Sequence, residues 1–404
     1  MRRAGIVVVG AIAAVVVLGA IGVPADTYKG GDFLQFWLQP QAFFYGTSPY
    51  DPAWWARMHA RVGVPPLFDE AVYPPYDAIA FLPLALLPLS YAAAAWLVAQ
   101  LVAVAAVAVG LARRISDRAG RSVFLAVVAT FQPLWLLVVG GNITGFLLAA
   151  LGSAYLAALD GRIFRCGALL GLLVVKPHPF AFLAVAVLAS VQRVQRRALV
   201  LGALATAGPL AGMTLLLRPS WYAEWLPAAL GLQSAPGSNA TVWTIGRVIG
   251  LEAPLLGGAV AIALIVAFGI WSRRTRPSLA LAIAVAIPVS LAVAPHGWSY
   301  DHLLLLVPLS VLIDRVGSGS VTRRAAVVLG ACALPWLLYA LAFRRGGEEL
   351  SAITPLAVFA LLLVVGRSAA PSQPKDAEEE ARQDGLRAER DRGRRDDDDP
   401  HRQR

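Results

Sequence analysis

Seven polar side chains interrupt or border long apolar runs: Asp32, Asn142, Lys176, His178, His296, Asp301 and His302. An ionisable group beside lipid is costly to place, so each is a functional candidate. Each one singly also fits an interface residue reaching for water. As a set they suit the handling of a phosphorylated ligand. Asp32 has the chemistry of a general base. Lys176 offers phosphate a compact point charge. His296 or His302 can donate hydrogen bonds or share that charge, with His178, Asn142 and Asp301 in support. No HExxH, CxxC or carboxylate-rich cluster is present, so neither a metal nor a cofactor is expected. No Walker motif and no strand-linked GxGxxG occurs, which leaves an activated substrate to arrive by another route, such as a lipid carrier.

The elements that must position these groups are apolar. The 404-residue chain is 58% hydrophobic and 15% charged, against about a quarter charged in ordinary soluble domains. One apolar helix would not produce that deficit. A span needs roughly 20 apolar residues, and the sequence offers about 12 candidates, near 5–23, 91–112, 121–139, 143–159, 163–176, 179–191, 198–217, 255–272, 278–294, 301–314, 325–343 and 350–366. The expectation is an all-α integral membrane bundle. Cys166 and Cys332 lie far apart inside apolar segments and read as small core residues.

Charge distribution gives an orientation. With the N-terminus in the cytoplasm, the inner loops hold 17 lysines and arginines and the outer loops hold 8, the bias expected of cytoplasmic loops. The net charge of +10 belongs to the membrane body, because the tail from Arg367 carries 10 basic and 11 acidic residues. No basic run is interleaved with stacking aromatics, which argues against nucleic acid as a partner. Residues 1–366 read as one polytopic domain, and 367–404 as a charged, disordered cytoplasmic tail. Two long connections, 24–78 and 218–254, fall outside. The first is rich in aromatics and is expected to form interfacial helices near 32–45 and 52–62. Within it, Trp54 either stacks on a sugar or anchors at the interface, and Tyr73-Pro74-Pro75-Tyr76 reads as a rigid turn.

Several stretches carry a family likeness. They are Gly31-Asp32-Phe33, Phe44-Tyr45-Gly46-Thr47-Ser48-Pro49-Tyr50-Asp51, Val72-Tyr73-Pro74-Pro75-Tyr76, Gly141-Asn142-Ile143, Val175-Lys176-Pro177-His178-Pro179 and Trp298-Ser299-Tyr300-Asp301-His302. In this order they resemble the GT-C integral membrane glycosyltransferases, most closely family 87, the actinobacterial polyprenyl-phosphate-mannose-dependent alpha-(1,2)-mannosyltransferases. The resemblance covers about residues 1–366. It implies a GT-C-type bundle in the plasma membrane, with both termini cytoplasmic. It implies transfer, with inversion, of mannose or another hexose or pentose from a polyprenyl-phosphate donor to a glycolipid or lipoglycan on the periplasmic side. It also implies Asp32 as catalytic base, Lys176, His296 and His302 at the donor phosphate, and Tyr73, Asn142, His178, Asp301 and Trp54 in supporting or acceptor-binding places. The chain departs from the family's common pattern with Lys-Pro-His at 176–178 and Gly-Asn at 141–142, which leaves the class intact and the substrate open. The competing class is a transporter or flippase. It fits less well, because the charged set gathers toward one face and no internal repeat is evident.

Overall fold

In the computed structural model the described residues are 2–28, 31–66, 68–234, 239–249, 254–317, 321–345 and 347–367. The expected tail beyond Arg367 lies outside them. Residues Met1–Leu362 make one compact unit, and every described element is an α-helix or a 3-10 turn.

The expectation of about 12 spans is overturned. Among the described residues, four helical segments are long and apolar enough to cross a membrane: Leu89–Ala112, Arg118–Gly140, Arg193–Leu217 and Leu255–Thr275; the second is two helices, Arg118–Thr130 and Gln132–Gly140, meeting at Phe131. These four make the chain a multi-pass membrane protein. Several of the other apolar runs form shorter helices, such as Thr144–Leu159, Ile163–Val175, His178–Ser190 and Leu279–Val293. At 1.5 Å per residue the longest of these four, Thr144–Leu159, reaches about 24 Å, short of a hydrocarbon core of about 30 Å.

The physical reasons are local. Leu279–Val293 is apolar because it is core: residues from Ala280 to Ala292 are buried on nearly every side, as an all-round apolar helix requires. The run expected at 301–314 begins instead as a 3-10 turn, Ser299–Leu305, and becomes α-helical only at Leu306. Lys176 and Pro177 separate the runs before and after them, because a proline drives the preceding residue out of helical conformation; Lys176 sits at φ −141°, ψ 76°.

The first connection is filled by the short helices Phe33–Leu38, Gln41–Tyr45 and Pro52–Val62. The last starts where the Asp51 carboxylate accepts from the Ala53 amide at 2.9 Å, with Pro52 at the first helical position. It ends at Gly63, whose φ of 77° suits a residue without Cβ. These helices bury Leu34, Leu38, Trp54, Trp55 and Met58 against Trp221. The second connection also has structure, with a helix at Ser220–Ser234 and a 3-10 stretch at Val242–Ile249.

A charged, hydroxyl-rich face lies at the helix ends remote from residue 142. Arg114 pairs with Asp160 at 2.5 Å, and Asp314 accepts from the Ser116 amide at 2.8 Å and hydroxyl at 2.7 Å.

Candidate active site

Three junctions between helices build the site. The first carries Asp32, the residue before the Phe33–Leu38 helix. Its carboxylate makes no capping bond to that helix, so it stays available. Its neighbour Gly31 rests on the Gly140 carbonyl so closely that a Cβ there would collide with it. The second junction runs through Gly141, which ends the Gln132–Gly140 helix at φ 63°. Its carbonyl accepts from the Trp96 indole at 2.8 Å, and Asn142 follows, just before the Thr144–Leu159 helix. The third joins the turn at Lys176 to the loop and 3-10 turn from His296 to His302. Gly31 and the Gly140–Gly141 pair are therefore more than ordinary turn glycines, since one brings two backbones into contact and the other turns the chain.

The junctions meet at a cavity of about 610 Å³, lined by Asp32, Tyr73, Lys176, His178, His296, Trp298 and Tyr300 among others. The Ser220–Ser234 helix supplies another part of the wall through Trp225, Leu226, Ala229 and Leu230. Leu226 and Leu230 are 52% and 57% exposed, so the wall is apolar and open.

Behind this surface the polar groups form a connected set. Asn142 donates its amide N–H to Asp32 Oδ2 at 2.6 Å. Asn142 Oδ1 accepts from the Thr144 amide at 3.0 Å and from the Thr144 hydroxyl at 2.5 Å. The same hydroxyl lies 3.1 Å from Asp301 Oδ1. Asp301 Oδ1 takes the Lys176 ammonium at 2.6 Å, and Oδ2 takes the Trp298 amide at 3.2 Å. The ammonium also sits 4.9 Å from the centre of the Tyr300 ring, and Tyr300 lies close enough to Asp32 to lower its pKa. A path of contacts thus runs from Asp32 through Asn142, Thr144 and Asp301 to Lys176.

The electrostatics follow from this packing. Burial raises the pKa of Asp32, opposed by the Lys176 charge, by the Asn142 hydrogen bond and by Tyr300. Although part of its surface opens to the cavity, protein surrounds it closely enough for desolvation to dominate. Burial, then Lys176, lowers His296 to about 4, so it is neutral near pH 7 and acts as a hydrogen-bonding group without sharing the charge. Asp77, in the short Asp77–Ala80 helix, is a fully buried carboxyl away from this cavity, and desolvation raises its pKa well above the usual range. Among the described residues no three His, Cys, Asp or Glu side chains converge as a metal site.

The nine sequence candidates divide by position. Asp32, Tyr73, Lys176, His178 and His296 line the cavity. Asn142 and Asp301 lie just behind it, buried, and touch Asp32 and Lys176 directly. His302 is buried beyond Asp301, against the Ala240 backbone, and does not line the cavity. Trp54 is in the aromatic cluster under the first connection and does not line the cavity either. Tyr300, Thr144 and the Ser220–Ser234 wall were not singled out from the sequence. Tyr300 stands inside the Trp298–His302 motif, so proximity to Asp301 was an available signal.

A multi-pass helical protein with a carboxylate and a lysine on one apolar-walled cavity has the architecture of an enzyme that works on membrane-borne substrates. The profile of glycosyltransferase family 87 matches residues 71–295, more than half of the sequence, and the chain belongs to that family. It is therefore a membrane glycosyltransferase. Asn142, Lys176 and His178 fall inside the matched stretch, whereas Asp32 and Asp301 fall outside it. Among solved structures, the crystal structure of ArnT from Cupriavidus metallidurans bound to undecaprenyl phosphate is 16% identical, covering 89% of this chain and 76% of that chain. Its TM-score is 0.43, a likeness too loose to place individual residues. A comparison with curated proteins finds no match.

Proposed function

We propose that the enzyme transfers a sugar, mannose being the expected one, from a polyprenyl-phosphate donor to a glycolipid or lipoglycan hydroxyl. The observation that carries this reading is the cavity itself. Asp32 and Lys176 line it together with the exposed leucines of the Ser220–Ser234 helix, which offer a lipid chain apolar surface.

Asp32 takes the proton of the acceptor hydroxyl as its oxygen attacks the anomeric carbon. The bond from that carbon to the phosphate oxygen breaks, and the electron pair leaves with the polyprenyl phosphate. That leaving group is already ionised and needs charge stabilisation more than a proton. Lys176 supplies it, with His296 donating a hydrogen bond as a neutral ring. A single displacement of this kind inverts the anomeric centre. The raised pKa of Asp32 suits the base role, because it brings the carboxylate nearer the working pH.

The same reading puts the enzyme in the plasma membrane with the cavity toward the periplasm. The Thr144–Leu159 helix runs from the site to Asp160, which pairs with Arg114 close to Arg113 and Arg162. The Leu279–Val293 helix runs to the site from the segment that carries Arg273, Arg274 and Arg276. Arginines gathered at the remote ends support a cytoplasmic assignment for that face and for the termini. Residues 1–366 would then be the catalytic domain, and the charged tail would lie inside.

The test is transfer from labelled polyprenyl-phosphate-mannose in membranes, comparing wild type with Asp32→Asn. We expect labelled lipid product from wild type and a loss of about a hundredfold or more in the variant. Folded wild type that labels no endogenous lipid acceptor would overturn the reading. Full activity in Asp32→Asn would remove its base.

A further inference from the structure

The contacts of one residue outside the cavity wall point to a role in tuning the base. Thr144 is fully buried, two residues after Asn142, at the start of the Thr144–Leu159 helix. Its backbone N–H can only donate, so the atom of Asn142 facing it at 3.0 Å has to be the amide oxygen. That contact settles which way the amide points, an assignment usually left to the hydrogen-bond network. The NH₂ group is then obliged to face Asp32, which it meets at 2.6 Å. The Thr144 hydroxyl adds a second donor to the same Asn142 oxygen at 2.5 Å. Drawing electron density toward that oxygen makes the amide N–H a better donor to the carboxylate.

The hydroxyl has one proton and two acceptors within reach. Besides Asn142 it lies 3.1 Å from Asp301 Oδ1, an oxygen already occupied by the Lys176 ammonium at 2.6 Å. While Lys176 holds that oxygen, Asn142 is the better placed acceptor. When an anion in the cavity draws the ammonium forward, Asp301 becomes the stronger one. Only a hydroxyl rotation is needed to transfer the bond.

We propose that Thr144 is a positioning residue of the transfer reaction, whose hydroxyl holds Asn142 against Asp32 and couples that contact to the Lys176–Asp301 pair. The inference rests on the reading of Asp32 as base and Lys176 as phosphate partner. The empty site keeps Asp32 strongly hydrogen-bonded and weakly basic. Donor phosphate at Lys176 draws the Thr144 hydroxyl to Asp301, loosens the Asn142 bond and makes Asp32 more basic when a donor is present. The other groups facing Asp32 are Lys176, Asp301, Tyr300 and Tyr73. Of these the Thr144 hydroxyl touches Asp301, at 3.1 Å, so its removal acts on Asp32 through Asn142 and Asp301.

The experiment is an infrared pH titration of the purified full-length protein in nanodiscs. The difference between wild type and Asp32→Asn isolates the Asp32 carboxyl band. In Thr144→Val the protonation midpoint should rise, and in Thr144→Ser, which keeps the hydroxyl, it should return to the wild-type position. Added polyprenyl phosphate should raise the midpoint further in wild type than in Thr144→Val. In the transfer assay Thr144→Val should lose about tenfold in kcat, because the donor-bound state lacks the hydroxyl's bond to Asp301, the worth of one hydrogen bond, with donor KM within about twofold, and Thr144→Ser should recover it. Equal midpoints in wild type and Thr144→Val, or a serine variant displaced as far as the valine one, overturn the positioning role. Equal ligand-induced shifts overturn the coupling. The titration needs no turnover, so it decides the inference even if the proposed transfer fails.

Discussion

Replacing Lys176 by methionine separates what the ion pair does for the fold from what it does for the reaction. The pair is closed at 2.6 Å, with its side chains 3% and 2% exposed, so solvent screening is slight. Deleting the ammonium leaves the Asp301 carboxylate buried, with the Thr144 hydroxyl at 3.1 Å and the Trp298 amide at 3.2 Å as donors. Stranding one charge of a buried pair costs about 3–5 kcal/mol, a large share of a typical folding free energy of about 5–15 kcal/mol. Adding Asp301→Asn removes the stranded charge and keeps an oxygen for the Trp298 amide. The double variant should therefore recover most of the lost stability. It should not recover transfer, because the charge proposed to meet the leaving phosphate is still missing; a deficit of about 10²–10³ in kcat is expected. Denaturation in detergent, followed for the wild type, both single variants and the double, completes the cycle, and transfer is measured on the same preparations. A Lys176→Met protein as stable as wild type would refute the buried-charge argument. A double variant with wild-type transfer would refute the phosphate role.

Three other outcomes follow from the same geometry. As the proposed base, Asp32 has to be ionised, so transfer should be present above its pKa and lost as pH falls through it; Asn142→Leu removes a bond that lowers that pKa and should move the acidic limb of the pH–rate profile upward by about one to two pH units. An unmoved limb would exclude Asn142 from this role. Gly31→Ala forces a Cβ into the Gly140 carbonyl and should lower the thermal midpoint and transfer together, whereas Gly10→Ala, with open space around it, should change neither. Leu230→Asp on the Ser220–Ser234 wall should raise KM for a long-chain polyprenyl donor by about tenfold or more and leave a short-chain, water-soluble analogue nearly unaffected. Equal effects on both donors would show that this wall does not hold the chain.

The polar residues of the site were legible because polarity beside lipid is expensive, which makes Asp32, Asn142, Lys176 and Asp301 conspicuous in an apolar sequence. Thr144 was not, since a threonine in the first turn of a helix is too common to signal anything. Hydropathy identified the chain as a membrane protein but could not count its crossings. It measures how apolar a segment is and not whether lipid or protein satisfies it, and Leu279–Val293 is satisfied by protein. Aromatics were ambiguous in the same way: Trp54 packs into a core that the sequence could not distinguish from a membrane interface. The histidines separate through a detail of local geometry. His296 stays in the loop and reaches the cavity, while the tight 3-10 turn beginning at Ser299 carries His302 inward.

The contact between Gly31 and Gly140 gives the proposed base, Asp32, a main-chain foundation. Asp32 takes its place from two backbones that touch, and only secondarily from the side chains around it. The wall formed by Trp225, Leu226 and Leu230 belongs to a different helix and can be rewritten without shifting those backbones. Reactivity and substrate range are thus assigned to separate stretches of sequence. On the proposed reading, lipid and sugar preferences can diversify on the Ser220–Ser234 helix while Asp32 stays fixed. Exchanging that helix between homologous enzymes should alter substrate choice and preserve the pH–rate profile. A profile that moved with the exchanged helix would show that the two functions are not separable.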